Sequence, residues 1–193
     1  MKNSDEWALG QWGERLVRQW LTSRSWWVIP ISLINNGGAP AFETWIRQFT
    51  VLPDIFAGCN GRAQWIEVKT KTKSVPNALR KRDEHGLEER LWRHYIAGQQ
   101  LTGIPGAIAF VQTQPRLLYI GALDTIEVAS VVYDGSNLAE PRRFFDLRRF
   151  EKYNFGKSGL TLEVAPTIEP KAQPRPWEIK YRGQIESQQP PLF

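Results

Sequence analysis

Residues 51–71 read VLPDIFAGCNGRAQWIEVKTK. Asn60-Gly61 divides this stretch into two apolar runs, and Asn-Gly in that setting marks a two-residue hairpin turn. With that turn, Cys59 faces Arg62, and counting back along both strands sets Asp54 opposite Glu67 on one face. Residues so paired have Cβ atoms about 4.5–5.5 Å apart. Lys69 lies two residues beyond Glu67 and shares its face. The other face carries Val51, Pro53, Ile55, Ile66 and Val68, all apolar. One side of the hairpin therefore packs a core, and the other gathers two acids and a cation.

Like charges directly opposite one another destabilise a sheet unless something positive lies between them. Two close carboxylates make a hard oxygen site suited to Mg²⁺ or Mn²⁺. A cation there would bind a phosphate oxygen and lower the pKa of its water. Lys69 would position or activate that water, or offset charge on a pentavalent phosphate. This is the chemistry of phosphodiester hydrolysis. A purely structural Asp–Lys–Glu cluster is the competing account, but burying three charges for packing alone rarely repays desolvation.

Working outward, residues 4–23 read as a helix, with Ser4 as cap and Asp5 and Glu6 in the first turn. Leu9, Trp12, Leu16, Val17 and Trp20 form its buried stripe. Residues 26–34 read as a strand, with Pro30 as a blemish, and a Gly-rich loop follows. Phe49–Ala57 and Ala63–Thr72 read as the strands of the hairpin. The segment SVPNALRKRDEHG reads as basic and irregular. A second helix is expected over roughly 84–102, with Leu87, Leu91, Tyr95, Gly98 and Leu101 inward and Gly103 with Pro105 as its stop. GAIAFVQ and RLLYIG read as two strands joined at Gln114-Pro115; residues 122–132 fit helix or strand equally. RRFFDLRRF and GLTLEVA read as late strands or connections.

Pro53-Asp54, a short gap and Glu67-Val68-Lys69, set on this hairpin after an N-terminal helix, resemble the motif of the PD-(D/E)xK nucleases, the restriction endonuclease-like superfamily, and its Holliday junction resolvase-like members. The resemblance covers about residues 4–121. It implies an α/β fold with a central mixed sheet flanked by helices. It also implies a Mg²⁺- or Mn²⁺-dependent DNA endonuclease, either a structure-specific resolvase or repair enzyme acting as a homodimer or a cutter from a restriction or mobile-element system. Many members carry a glutamate on the first helix, which here is Glu14, at the edge of the stripe beside Gly10, Val17 and Leu21. The implied metal ligands are Glu14, Asp54 and Glu67, with Lys69 as the charge-stabilising partner. A nucleic-acid-binding module without cleavage and an RNA nuclease are the alternatives.

Net charge is +5, which favours a polyanionic partner. Lys71, Lys73, Arg80, Lys81 and Arg82 are the expected nucleic-acid contacts, and Arg90 and Arg93 could extend their track. Arg142, Arg143, Arg148 and Arg149 lie among Phe144, Phe145 and Phe150, a pattern that fits nucleic-acid binding or a half-buried strand equally. Trp26 and Trp27 could stack on bases or pack into the sheet, and Tyr95 reads as core.

A single cysteine, Cys59, and two histidines exclude a disulfide framework and a Cys/His zinc cage, and with no secretory leader in view they fit a cytoplasmic setting. No apolar run approaches the ~20 residues of a membrane helix. Residues 1–165 are expected to form the nuclease-like domain, and the proline-rich 166–193 an extended tail. Its end, QQPPLF, resembles the Gln-x-x-Leu-Phe peptide that inserts into bacterial sliding clamps, with Gln189, Leu192 and Phe193 as anchors and Pro190 where leucine is usual.

Overall fold

The computed structural model describes residues 4–31, 41–43, 49–77, 80–127, 130–133 and 140–155. Helix α1 (Ser4–Thr22) opens the chain. Its stripe of Trp12, Leu16, Val17, Trp20 and Leu21 is buried, each side chain contributing about 1.5–3 kcal/mol at most from apolar burial. The helix ends where Ser25 turns left-handed at φ 63° and the Trp26 N–H returns to the Leu21 carbonyl.

Strand β1 (Trp27–Pro30) is followed by β2 (Ala41–Glu43) and β3 (Phe49–Val51), which pair with each other. Strands β4 (Ile55–Cys59) and β5 (Arg62–Lys71) form the hairpin, with Cys59 opposite Arg62 and Ile55 opposite Ile66 as the turn reading requires. Asn60 and Gly61 take φ 50° and 74°, the paired positive angles of a type I′ turn. The chain continues through β6 (Val75–Asn77), β7 (Arg82–Glu88), α2 (Glu89–Thr102), β8 (Gly106–Gln112), β9 (Leu117–Ala122), α3 (Leu123–Glu127), β10 (Val131–Tyr133), β11 (Arg142–Asp146), a 3₁₀ turn (Leu147–Arg149) and β12 (Glu151–Asn154).

Six strands form the main sheet in the order β1-β4-β5-β8-β9-β12, antiparallel except for the parallel β5–β8 pair. Ile55, Ala57, Ile66, Val68, Ala109 and Leu118 point to the α1 side and build one core with it. On the opposite face Ile108, Phe110 and Tyr119 meet Trp92 and Tyr95 of α2 and Phe145 and Phe150. A second sheet, β10-β11-β7-β6, shares that side. The fold is thus the α/β class read from the sequence: a central mixed sheet flanked by helices, with helix, strand, hairpin, helix and strand in the order expected from it.

Several local readings change. Phe49–Ala57 is not one strand. Pro53 has no N–H to donate, the chain bends at Leu52–Asp54, and β3 leaves to pair with β2. The segment expected to be irregular forms the β6–β7 pair, with Val75 opposite Glu84. The second helix starts at Glu89, because residues 82–88 are claimed by β6 and β11 as a strand. Its buried stripe is Glu89, Trp92, Tyr95 and Gly98; Leu87 is buried from the strand instead, and Leu101 is 54% exposed. Residues 123–127 are helical and 131–133 extended, which resolves the ambiguous 122–132 segment for those residues. The GLTLEVA segment and the tail lie outside the described residues. Among the described residues no helix is long and apolar enough to cross a membrane.

Candidate active site

Asp54 sits at the bend before β4, one step beyond the last hairpin pair. Its backbone carbonyl accepts the N–H of Ile31 at 2.9 Å, and its side-chain Oδ2 accepts the N–H of Val68 at 2.8 Å. The carboxylate therefore stands in for a ladder acceptor and is fixed against β5, the strand that carries Glu67 and Lys69.

Glu67 is buried at 4% exposure in the middle of β5. Lys69 Nζ lies 2.5 Å from its Oε1, a charge-assisted contact along one face of the strand. Burial alone would lower the Lys69 pKa, but Glu67 and then Asp54 outweigh it and the ammonium holds its proton more tightly than usual. Asp54 is pushed well above the usual carboxylate range, first by burial, then by the Glu67 charge, with Glu14 adding to the rise and the Val68 N–H opposing it. The site has a surplus of negative charge that one lysine does not cancel.

Glu14 reaches this locus because α1 lies close against β5. The reason is Gly13, whose missing Cβ would fall 2.0 Å from Thr70 Oγ1. No other residue type fits there without displacing the helix or the threonine. Glu14 is half-buried and accepts a hydrogen bond from Gln11 Nε2 at 3.4 Å. Burial raises its pKa; Arg18 lowers it, Glu67 raises it and Lys69 lowers it, leaving a net rise. All four residues singled out from the sequence thus interact electrostatically.

Two further residues join them. Tyr95 on α2 is buried, and burial together with the Glu67 carboxylate, which accepts its hydroxyl proton, raises its pKa far above that of a free phenol. Glu88, the last residue of β7, acts on Lys69, Lys71 and Tyr95 alike. Neither was singled out for the site. Tyr95 carried a signal, since it stands on the buried stripe of α2. Glu88 carried none, because its placement depends on the β7–β11 pairing.

Among the described residues no three His, Cys, Asp or Glu side chains are gathered closely enough to hold a metal. The chemistry of the donor set nonetheless fits a hard cation. The donors are carboxylate oxygens, and Glu14 and Asp54 have raised proton affinities, first because burial desolvates them and then because neighbouring carboxylates repel them. A divalent ion would satisfy the same surplus that protons satisfy otherwise.

The expected nucleic-acid contacts divide. Lys71 continues the Glu67–Lys69 face and is half-buried. Lys73 and Lys81 are exposed, and Arg80 is half-buried beside the β6–β7 turn. Arg82 is spent within the protein, 2.6 Å from Glu84 and 3.3 Å from Asp146. The arginine–phenylalanine segment is largely structural. Phe145 and Phe150 are core, Arg143 pairs with Glu89 at 2.8 Å, and Arg148 pairs with Asp146 at 2.7 Å. Arg93 also binds Glu89, and Arg90 lies 3.9 Å from Glu140. Trp26 packs against the α1 core, whereas Trp27 is 48% exposed over Phe56. Gln189, Leu192 and Phe193 lie outside the described residues.

No protein-family model matches the chain, and no curated protein matches it. Among solved structures, a Holliday junction resolvase from the archaeal hyperthermophile Archaeoglobus fulgidus is similar to it. The two are 15% identical, with a TM-score of 0.47, over 73% of this chain and 86% of the resolvase.

Proposed function

We propose that the chain is a divalent-metal-dependent nuclease that hydrolyses phosphodiester bonds in DNA. The observation that carries this reading is the meeting of Asp54, Glu67 and Lys69 on one hairpin with Glu14 on the helix docked against it, charges that act on one another in a partly desolvated place. A structural ion-pair cluster would balance its charges, and this one leaves acids in excess.

In this reading Glu14, Asp54 and Glu67 hold Mg²⁺ or Mn²⁺. The ion supplies Lewis acidity toward a phosphate oxygen and a water of lowered pKa. Asp54 is held in place by the Val68 N–H, and Glu67 by Tyr95, so both carboxylates are oriented before substrate arrives. Lys69, which keeps its proton, offsets negative charge that grows on the phosphate during attack and does not act as the base. The exposed Lys73 and Lys81 draw the polyanion toward the site.

The test uses the full-length protein with Mg²⁺, Mn²⁺ or EDTA on duplex, nicked, flap, four-way-junction and single-stranded substrates of DNA and of RNA. The four-way junction belongs on the panel because the sequence motif resembles that of junction resolvases. Metal-dependent cutting of DNA that vanishes in Asp54→Asn and Lys69→Ala supports the reading. Binding without cutting on every substrate would leave a nucleic-acid-binding module, and cutting confined to RNA would change the substrate class.

A further inference from the structure

One face of the main sheet carries an aromatic row beside the acids. Ile29, Phe56 and Trp65 lie abreast across β1, β4 and β5, because Ile29 pairs with Phe56 and Phe56 with Trp65. Trp65 precedes Glu67 by two residues on β5, so the row and Glu67 share a face, about 6.6 Å apart. Phe56 likewise follows Asp54 by two residues. Trp27, two residues before Ile29, extends the row away from the acids. The intervening Val28 packs on the α1 core instead.

The rings hold one another. The centroids of Trp27 and Phe56 are 5.3 Å apart, and those of Phe56 and Trp65 4.5 Å. Trp65 is buried, and its indole Nε1 lies 3.4 Å from Thr102 Oγ1, which fixes the inner end. Gly58 fixes the outer end: a Cβ there would fall 2.2 Å from Trp27 Cζ2, so the indole lies across bare backbone. Trp27 nonetheless stays 48% exposed and Ile29 42%. A large ring seated on a glycine and left open to solvent forgoes the burial that a core position would give it. None of Trp27, Ile29, Phe56, Gly58 and Trp65 carries a charge, so nothing in the row repels a polyanion. Strand β1 is four residues long and ends in Pro30, which has no N–H, so pairing with a strand of another chain is disfavoured.

We propose that Trp27 and Phe56, with Ile29 beside them, form a stacking platform for an unpaired base of the strand whose phosphate lies at Asp54 and Glu67. The platform rests on the nuclease reading above. Every base has a π face, so stacking tolerates any sequence, but in an unbroken duplex that face is covered by the neighbouring base pairs. The platform therefore reads structure, favouring single-stranded DNA, a flap or a branch point over continuous duplex. Phe56 is one alternate-residue step from Asp54 and Trp27 about two, a reach that suits the nucleotides adjoining the scissile bond. Trp27 is a positioning residue: it holds the base and leaves the chemistry to the acids.

The experiment measures binding of the full-length protein in EDTA to fluorescein-labelled single-stranded DNA, a flap and an unbroken duplex, by anisotropy over a series of salt concentrations, with cleavage then followed in Mn²⁺. Trp27→Leu should raise Kd for the single strand and the flap on the order of 10-fold, and for the duplex by no more than about 2-fold. The slope of log K against log salt should keep its wild-type value, because no phosphate contact is removed. Trp27→Phe, which keeps a ring, should recover most of the loss. Trp27→Thr, which suits an edge strand, repeats the test should the leucine variant fold poorly. Trp7→Leu removes an indole that is 62% exposed on α1, across the sheet from the row, and should leave all three affinities unchanged. Wild-type affinity for single strand and flap in Trp27→Leu and Trp27→Thr overturns the platform and leaves the nuclease reading intact. Equal weakening on the duplex, or a flattened salt slope, also overturns it. Unchanged DNA binding with an altered sedimentation coefficient assigns the row to a contact between protein chains and overturns it likewise. The expected losses in a protein that cuts nothing uphold the platform and remove the nuclease reading. A wild-type protein that binds none of the three substrates overturns both.

Discussion

The side chain of Asp54 accepts the backbone N–H of Val68 at 2.8 Å, so the carboxylate proposed as a site acid also serves as a ladder acceptor. These two duties separate by substitution. Asp54→Asn keeps an acceptor oxygen and removes the charge that Glu67 and Glu14 repel. The variant should be more stable than wild type at neutral pH by on the order of 1 kcal/mol, while cleavage is lost. Asp54→Ala leaves the Val68 N–H unsatisfied and should be less stable than the Asn variant by about 1–3 kcal/mol. The sign with pH is fixed by the raised pKa. The folded state takes up a proton before the unfolded chain does, so wild type gains stability as pH falls through that window. The Asn variant's advantage then shrinks. Chemical denaturation at neutral and acidic pH reads both differences.

Lys69→Met should cost rate much more than affinity. Its ammonium is already held by Glu67, so substrate binding gains little from it, and its value lies in charge that develops during attack. Single-turnover cleavage should fall by on the order of 10²–10³-fold, with DNA affinity changed only a few-fold. A loss confined to affinity would move Lys69 out of the chemical step.

Two glycines three residues apart on α1 should respond oppositely to alanine. A Cβ at Gly10 meets nothing within 4 Å, so Gly10→Ala should stabilise the helix by about 0.8–1 kcal/mol. A Cβ at Gly13 would meet Thr70 Oγ1 at 2.0 Å, so Gly13→Ala should destabilise by about 1–3 kcal/mol and shift Glu14 enough to slow cleavage. Adding Thr70→Ala, which removes the hydroxyl in the way, should recover part of both losses. Melting curves and cleavage rates of the three variants decide it.

His85 sets an acid limit on stability. Burial and the Lys71 charge lower its pKa from the ordinary 6.5 to about 4. Between those values the unfolded chain binds the proton and the folded protein does not, so stability is fully present above 6.5 and falls as pH drops toward 4. The loss attributable to this one group should reach about 2 kcal/mol at pH 5. Glu14 and Asp54 pull the other way, so the test compares wild type with His85→Phe by denaturant unfolding at pH 7.5 and pH 5. The variant should lose less on acidification; equal losses would place the acid sensitivity elsewhere.

The hairpin and its register were legible because they depend on two adjacent residues, Asn60 and Gly61, whose positive φ values few other pairs accept. The α1 stripe was legible because five large apolar residues repeat at helical spacing. The β7 strand was not, because Glu84, His85 and Leu87 have no strand-like alternation, and only pairing with β6 and β11 makes them extended. Misreading that strand hid Glu88, which stands at its end. Tyr95 was legible as core, but its bond to Glu67 depends on how α2 crosses the sheet, which no local pattern records. The arginines of β11 looked like a nucleic-acid surface because their carboxylate partners, Glu89 for Arg143 among them, are distant in sequence.

The type I′ turn also decides where this chain tolerates a change of length. Strand parity keeps Asp54 and Glu67 on one face, and an extra residue inside either paired strand would send one acid to the α1 side. Asn60 and Gly61 are exposed and lie at the far end of the hairpin from those acids, with five pairs from Cys59 opposite Arg62 to Ile55 opposite Ile66 in between. An insertion placed between Asn60 and Gly61 is absorbed as a longer loop and leaves those pairs in step. That tip is therefore the place to graft a label or an affinity tag, and the position at which related chains could differ in length while keeping the same chemistry.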